Sequence, residues 1–576
     1  MERGSITSRK ESRLVDRRTV LKLLGVAGAA SVGAAPAVAT DSDSSPEFDP
    51  VEATASEIRS RYVAGDETAQ SVVEHYLERI EEYEDELEAI ITINSHVLDR
   101  AEELDEKLEA DGPVGPLHGI PVVLKDNNDT GDIRTTAGSV ALMDSIPPDD
   151  ATIVTKIREA GGVILAKANL HEYAFGYDTI SSLGGVTHNP YDLDRYAGGS
   201  SGGTGAGIAA SFGVLGTGTD TGGSVRVPAA ATNLVGLRPT TGLISRDGIV
   251  PLALSEDTAG PMTRTVADAA LFTDVMIGYD PADPETSESV GRTPHAEGKL
   301  YTDYLNEAGL DGTRIGVYRE YVGPAEDEES ERSAQEARQV EDVFDTALSD
   351  IESAGATIVD PVETPPDELV NVANVDSGDE FNRDINAYLS RLGDDAPDTL
   401  AEIAASDEYA PANCETLRER EEVDEDSVNE DPDYLYGLSQ RDDLRQMVLA
   451  TMAENELDAI VYPTLSQVPP RIDSDDSWGS NAQLTPALEF PSLTVPGGFT
   501  ADQSLPVGIE FMARRFEEAQ LFELTYSYEQ TSRHRKAPDG FDHVDDSDTD
   551  WGSETIEEWN EEQRLNRTVE QTGECE

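Results

Sequence analysis

Apolar side chains recur every three or four residues through "TAQSVVEHYLERIEEYEDELEAIITINSHVLDRAEELDEKLEA", residues 68–110, with acidic positions between them, and this period predicts two amphipathic helices. "GPLHGIPVVLKDN", 115–127, reads as a Gly/Pro turn feeding a short apolar strand that ends at Lys125. In "DDATIVTKIREAGGVILAKANL", 149–170, a helix capped by Asp149 or Asp150 stops at glycine and gives way to a buried strand. The alternation continues through "AGIAASFGVLGTGTD", "TVADAALFTDVMIGY", "TRIGVYRE", an acidic helix near 327–354 and "ATIVD". Strand signals return in "LDAIVYPTL", "SLTVPGGF" and "LPVGIEFMA", followed by a helix in "FEEAQLFELTYSYEQTSRHR". This rhythm predicts an α/β fold with a largely covered sheet. It weakens over about 361–440, where a helical insertion with a solvated loop is expected, and after 540, where 541–576 read as an acidic, mobile tail.

Charge changes the picture of where such a fold works. The chain holds 116 acidic against 42 basic residues, a formal charge of −74, and only eight of the 42 are lysine. Repulsion of that size is tolerable where the Debye length shrinks to about 3 Å, as at 1 M salt, so we expect a protein of a halophile. The long periodic apolar segments argue against an acidic disordered chain. Phosphate binding needs a basic stripe and none is visible, so no nucleic-acid partner is expected. Two cysteines are too few for a disulfide framework.

At the amino terminus, Arg17 and Arg18 precede Lys22 and a mildly apolar Ala/Gly stretch ending in Ala37-Val38-Ala39. That is the layout of a twin-arginine export signal over 1–39 with a cleavage site, followed by a polar linker over 40–55 and the body over 56–540. An uncleaved anchor is the other reading. Cleavage would leave an extracellular or cell-surface protein that meets the membrane only during export.

The candidate chemistry lies in two glycine-rich stretches. "GGSSGGTGAG", 198–207, matches neither the phosphate-loop nor the dinucleotide pattern, and it satisfies G-x-S-x-G at Ser200 or Ser201. A nucleophile elbow there, as in an esterase, needs a downstream histidine, and only His295, His534 and His543 follow. No H-E-x-x-H or H-x-x-x-H spacing joins His118, His171 or His188, so no metal is assigned, and no cofactor fingerprint appears.

The run from "GGSSGGTGAGIAASFGVLGTGTDTGGSVRVPAA" to "EDTAGPMTRTVADAA", 198–270, resembles the amidase signature family, especially its secreted peptide-amidase-like branch. The likeness reaches "GPLHGIPVVLKDN" upstream and "YPTLSQVPP" and "YEQTSRHR" downstream, roughly 55–537. It implies a mixed central β-sheet covered on both faces by helices. It also implies a catalytic set of Lys125, a bridging Ser200 held by a cis peptide, and nucleophilic Ser224, with the backbone N–H groups of Thr221, Gly222 and Gly223 as the oxyanion hole. The chemistry is coherent: burial lowers a lysine pKa, a hydroxyl can donate and accept at once, and a serine needs a base before it attacks. Asp220 and Arg226 are expected to pair and brace the loop, Asp126 and Asn127 to position the lysine, and Ser201 to bond Lys125 or cap the next helix. The implied reaction converts a carboxamide to an acid plus ammonia or an amine, on a small-molecule or peptide amide, through an acyl-serine. The competing readings are the glutamine-hydrolysing component of the tRNA-dependent amidotransferase (its A chain), the esterase, and an inactive surface protein on the same scaffold.

Overall fold

The computed structural model describes residues 49–571 apart from 325–329, 376, 394–395, 425–427, 473, 475, 542–543 and 545–548. The expected export signal, 1–39, lies outside the described residues, as does most of the linker. Among the described residues, no helix is long and apolar enough to cross a membrane.

One mixed sheet of eleven strands organises the chain. In chain order its strands are β1 (Ile90–Ile93), β2 (Pro121–Lys125), β3 (Val163–Ala168), β4 (Leu215–Asp220), β5 (Val235–Arg238) and β6 (Thr258–Thr263). They continue as β7 (Arg314–Val317), β8 (Thr357–Val359), β9 (Ala459–Pro463), β10 (Ser492–Phe499) and β11 (Pro506–Met512). Their spatial order is β1-β3-β2-β4-β6-β5-β10-β11-β9-β7-β8. The sheet is mixed: β2 runs parallel to β3 and β4, and β7 parallel to β8 and β9, while the central strands pair antiparallel.

Period-two alternation feeds both faces. Along β11, Phe511 meets Tyr528 of the helix α10 (Glu518–Ser532), with ring centres 5.8 Å apart. The intervening Glu510 turns the other way and takes Arg226 of α5 (Arg226–Ala231). The helices α6 (Val266–Met276) and α7 (Glu331–Ser353) pack with α10, as amphipathic stripes must.

Parallel pairing of Val122 with Leu215 and Val123 with Gly216 brings the carboxyl ends of β2 and β4 side by side. Lys125 and the loop that follows Asp220 therefore share one edge of the sheet, the usual place for ligands in such folds.

Several local expectations change. The run at 68–110 forms the helices α1 (Ala69–Leu87) and α2 (Val97–Asp111), but Ile90–Ile93 between them is the edge strand β1. Four apolar residues between two helical periods carry too little alternation to stand out. Helix α3 (Thr152–Glu159) starts from Ala151 without a side-chain cap, because Asp150 is committed to Arg158 and to the Gly131 N–H.

Part of the segment expected as a mobile tail is helical and packed on the body. Ser553–Gln571 form α11, which docks on β1. Asn560 accepts the Ile93 N–H at 2.8 Å and donates to the Ile93 carbonyl at 2.9 Å. Arg567 donates to the Ile90 carbonyl and pairs with buried Glu84. An edge strand has unpaired backbone groups on its open side, and this helix satisfies them with side chains.

Between β8 and β9 the described part of the chain is mainly helical. It includes α8 (Ser377–Leu389) and α9 (Pro432–Glu454), with shorter helices at Asp367–Ala373, Leu400–Ser406 and Cys414–Glu421.

Candidate active site

Three short segments build the site. β2 delivers Lys125, the 198–201 turn delivers Ser200 ahead of α4 (Gly202–Ala209), and the turn after β4 delivers Ser224 ahead of α5. Lys125 is fully buried; its Nζ donates to Ser200 Oγ at 2.7 Å and to Thr219 Oγ1 at 2.8 Å. Asn127 Nδ2 donates to the same Thr219 oxygen at 3.0 Å, so Thr219 steers the amine from below. Burial pushes the Lys125 amine down to about 7, against the upward pull of the Asp220 and Asp257 carboxylates.

The Gly199–Ser200 peptide bond is cis. A Cβ on Gly199 would stand 2.7 Å from the Tyr177 carbonyl carbon, so only glycine fits there. The Ser201 N–H donates to the Ser224 carbonyl at 3.3 Å, holding the two serine segments together. No Ser200–Ser224 hydroxyl hydrogen bond closes the chain among the described residues, and Ser224 is 5 % exposed.

The turn around Ser224 is held by charge. Asp220 Oδ1 takes Arg226 Nη2 at 3.0 Å and Arg238 Nη1 at 2.9 Å, and its Oδ2 takes Arg226 Nε and the Val225 N–H, both at 3.1 Å. Burial would raise the Asp220 carboxyl, but Arg226 and Arg238 overcome it and hold it well below the usual range. Arg226 continues to Glu510 at 2.7 Å. Asp220 and Arg226 thus brace the loop as a fully desolvated pair, where partner removal is costly.

Two supporting expectations change. The Gly223 N–H donates to Asp220 Oδ1 at 2.9 Å, so it is engaged rather than open to a substrate oxygen. With φ of 134°, Gly223 turns the chain where a side chain would be strained. Ser201 stands at the N-cap position of α4, but its side chain bonds neither Lys125 nor the helix; its Oγ accepts the Thr219 N–H at 3.3 Å. Of the histidines an elbow there would need, His295 and His534 are bonded to Asp274 and Asp350, and His543 lies outside the described residues.

Composition and spacing left other residues of the site unmarked. Tyr177 OH donates to the Gly222 carbonyl at 2.7 Å and accepts from Gln483 Nε2 at 2.9 Å. Thr221 Oγ1 donates to Asp257 Oδ1 at 2.5 Å, while Asp257 Oδ2 accepts the Leu252 and Ala253 N–H groups. The next two N–H groups, of Leu254 and Ser255, donate to Asp384 and Glu380 of α8, and Glu256 pairs with Arg441 of α9. This strap joins the helical insertion to the site. It walls a narrow cavity, lined by Asn127, Thr219, Thr221, Val250, Leu252 and Asp257 among others.

A mixed sheet with its chemistry at adjacent strand ends, and a buried lysine bonded to a serine, define a hydrolase-like site without a metal-ligand cluster among the described residues. The sequence profile of the amidase family matches residues 71–522, and the chain belongs to that family of hydrolases acting on amides. A probable amidase of Arabidopsis thaliana is 31 % identical, over 90 % of this chain and 97 % of its own. The A chain of the glutamyl-tRNA(Gln) amidotransferase of Heliobacterium modesticaldum is 32 % identical, over 84 % of this chain and 98 % of its own. The crystal structure of the peptide amidase of Stenotrophomonas maltophilia superposes with a TM-score of 0.74 at 34 % identity, covering 87 % of this chain and 100 % of that one.

Proposed function

We propose that the protein hydrolyses the amide bond of a small-molecule or peptide carboxamide, with Ser224 as nucleophile, Ser200 as proton relay and Lys125 as base. The observation that carries this reading is the 2.7 Å contact between Ser200 Oγ and a lysine amine excluded from water. With its pKa lowered to about 7, roughly half of the amine is uncharged at neutral pH, and that form can accept the proton that Ser224 passes through Ser200. Attack forms a tetrahedral oxyanion; its collapse releases ammonia or an amine and leaves acyl-Ser224, which water then cleaves to the acid. No cofactor enters these steps. The enzyme would be exported and work in concentrated salt, as the arginine pair at 17–18 and the charge of −74 favour.

A second reading, glutamine amide hydrolysis as the A chain of a tRNA-dependent amidotransferase, is favoured by the 32 % identity to such chains. One assay separates the two. The purified full chain in molar potassium chloride is offered capped peptide amides, simple carboxamides and free glutamine, and released ammonia is measured. Hydrolysis of the first two without partner proteins supports the amidase; turnover of glutamine alone, and only with partners present, supports the other. Ser224→Ala should abolish turnover, and Lys125→Ala and Ser200→Ala should each cut it by about a thousandfold or more. Substantial activity of the Ser224 variant would remove the assignment.

A further inference from the structure

The three consecutive peptide units from Asp220 to Gly223, just ahead of the unit that joins Gly223 to Ser224, are each gripped by a neighbouring side chain, the first two by Arg238 and the third by Tyr177 and Asp220. All are trans, because the cis bonds of the described chain lie elsewhere. In a trans peptide the carbonyl and the following N–H point opposite ways, so whatever holds one end aims the other. The Asp220 carbonyl accepts from Arg238 Nη1, and the Thr221 carbonyl accepts from the same nitrogen at 3.3 Å. The partners of those carbonyls across the peptide plane are the N–H groups of Thr221 and Gly222. The third unit is held at both ends, its Gly222 carbonyl by Tyr177 OH and its Gly223 N–H by Asp220.

Arg238 is well placed to be a fixed reference. It sits on β5 with no exposure, its Nη2 donates to the Glu256 carbonyl at 2.7 Å, and its Nη1 also pairs with Asp220. A planar fork with several donors loses little freedom when it spans several acceptors. From the other side, Asp257 holds the Thr221 side chain and the strap at Leu252 and Ala253. Arg238 and Asp257 thus converge on Thr221, the first at its carbonyl and the second at its side chain.

We propose that Arg238, assisted by Asp257, is the positioning residue of the oxyanion hole: it draws the Asp220 and Thr221 carbonyls inward so that the Thr221 and Gly222 N–H groups face the oxygen of the reacting amide. The hole is then a two-donor hole, with Gly223 serving the turn instead of the substrate. This rests on the amidase reading above. It adds that donors cost nothing to reorient during attack because their opposite ends are already tied down.

The test uses the full chain in molar potassium chloride with Arg238→Lys, Thr221→Val, Thr221→Ser and Asp257→Asn. Each is assayed for kcat and KM on an amide that the wild type turns over, and for inhibition by a trifluoromethyl ketone of the same acyl group, which adds to the serine as an oxyanion. Loss of aimed donors predicts a fall in kcat of about a hundredfold for Arg238→Lys and about tenfold for Thr221→Val and Asp257→Asn. Affinity for the ketone should fall in parallel, KM should move less than about threefold, and Thr221→Ser should restore most of the activity. Circular dichroism identifies any variant that fails to fold; should Arg238→Lys do so, the Thr221 and Asp257 variants decide. Folded variants with wild-type kcat and ketone affinity would overturn the positioning role while leaving Ser224 in place. A wild type no more active than Ser224→Ala would instead remove the amidase reading, and this proposal with it.

Discussion

Lys125 shows how a single side chain acquires its chemistry. At the end of an apolar run in β2 it is carried out of water, and desolvation of the ammonium outweighs the attraction of Asp220 and Asp257. The charge of Lys125 is also felt by His171, whose imidazole is pushed low chiefly by burial. If Lys125 is the base, as proposed, the active form is the free amine, and kcat/KM should rise about tenfold per pH unit below about 7 and level off above it. A pH-rate profile at constant molar salt checks this; a limb placed near 10 would mean that Lys125 is solvated during turnover. For stability the sign is the same. The folded pKa near 7 lies below the ordinary 10.5, so the folded state binds fewer protons between them and this group's contribution grows as pH rises across that window.

Among the elements, α11 and β1 depend on each other. β1 is only four residues long and lies at the sheet edge, where its outer backbone groups would otherwise face solvent or another chain. Asn560 makes two hydrogen bonds to one residue of that strand, and Ile556 is fully buried beside them. Asn560→Ala should therefore cost about 2 kcal/mol, at about 1 kcal/mol per hydrogen bond, read as a shift in denaturant midpoint with unchanged slope. An equally stable Ala variant would mean that the helix merely rests on the edge. The strap at 252–257 plays a comparable part for the insertion, whose Asp384 and Glu380 accept its N–H groups. Helices distant in sequence thereby reach the wall of the active-site cavity.

Across the whole molecule, several of the scarce cations are used inside. Arg79 donates to the carbonyls of Ser211, Ala210 and Phe541, and Arg264 to those of Ile208, Gly213 and Ala53. Lys125 and Lys167 are fully buried as well. With 116 acidic against 42 basic residues, and some of the cations buried, most carboxylates have no cation to pair with. We expect the far-ultraviolet dichroism to be retained in molar potassium chloride and lost on dialysis to about 10 mM, where the Debye length is about 30 Å and surface repulsion is unscreened. An unchanged spectrum at low salt would show that packing alone outweighs the charge.

Much could be read along the chain because it depends on near neighbours. Strand and helix periods from β2 to α10 follow from burial of one face, and the Gly/Ser runs at 198–203 and 222–224 marked where backbone must pass closely. The edge strand, the docked C-terminal helix and the grip of Thr219, Arg238, Asp257 and Tyr177 on the site were not legible. Each depends on partners tens or hundreds of residues away: Asn560 lies 467 positions from Ile93, and Lys125 lies 94 from Thr219. Short-range order follows from local sterics and hydrophobic period, but a hydrogen bond between distant segments exists only after the sheet order has chosen which strands are neighbours.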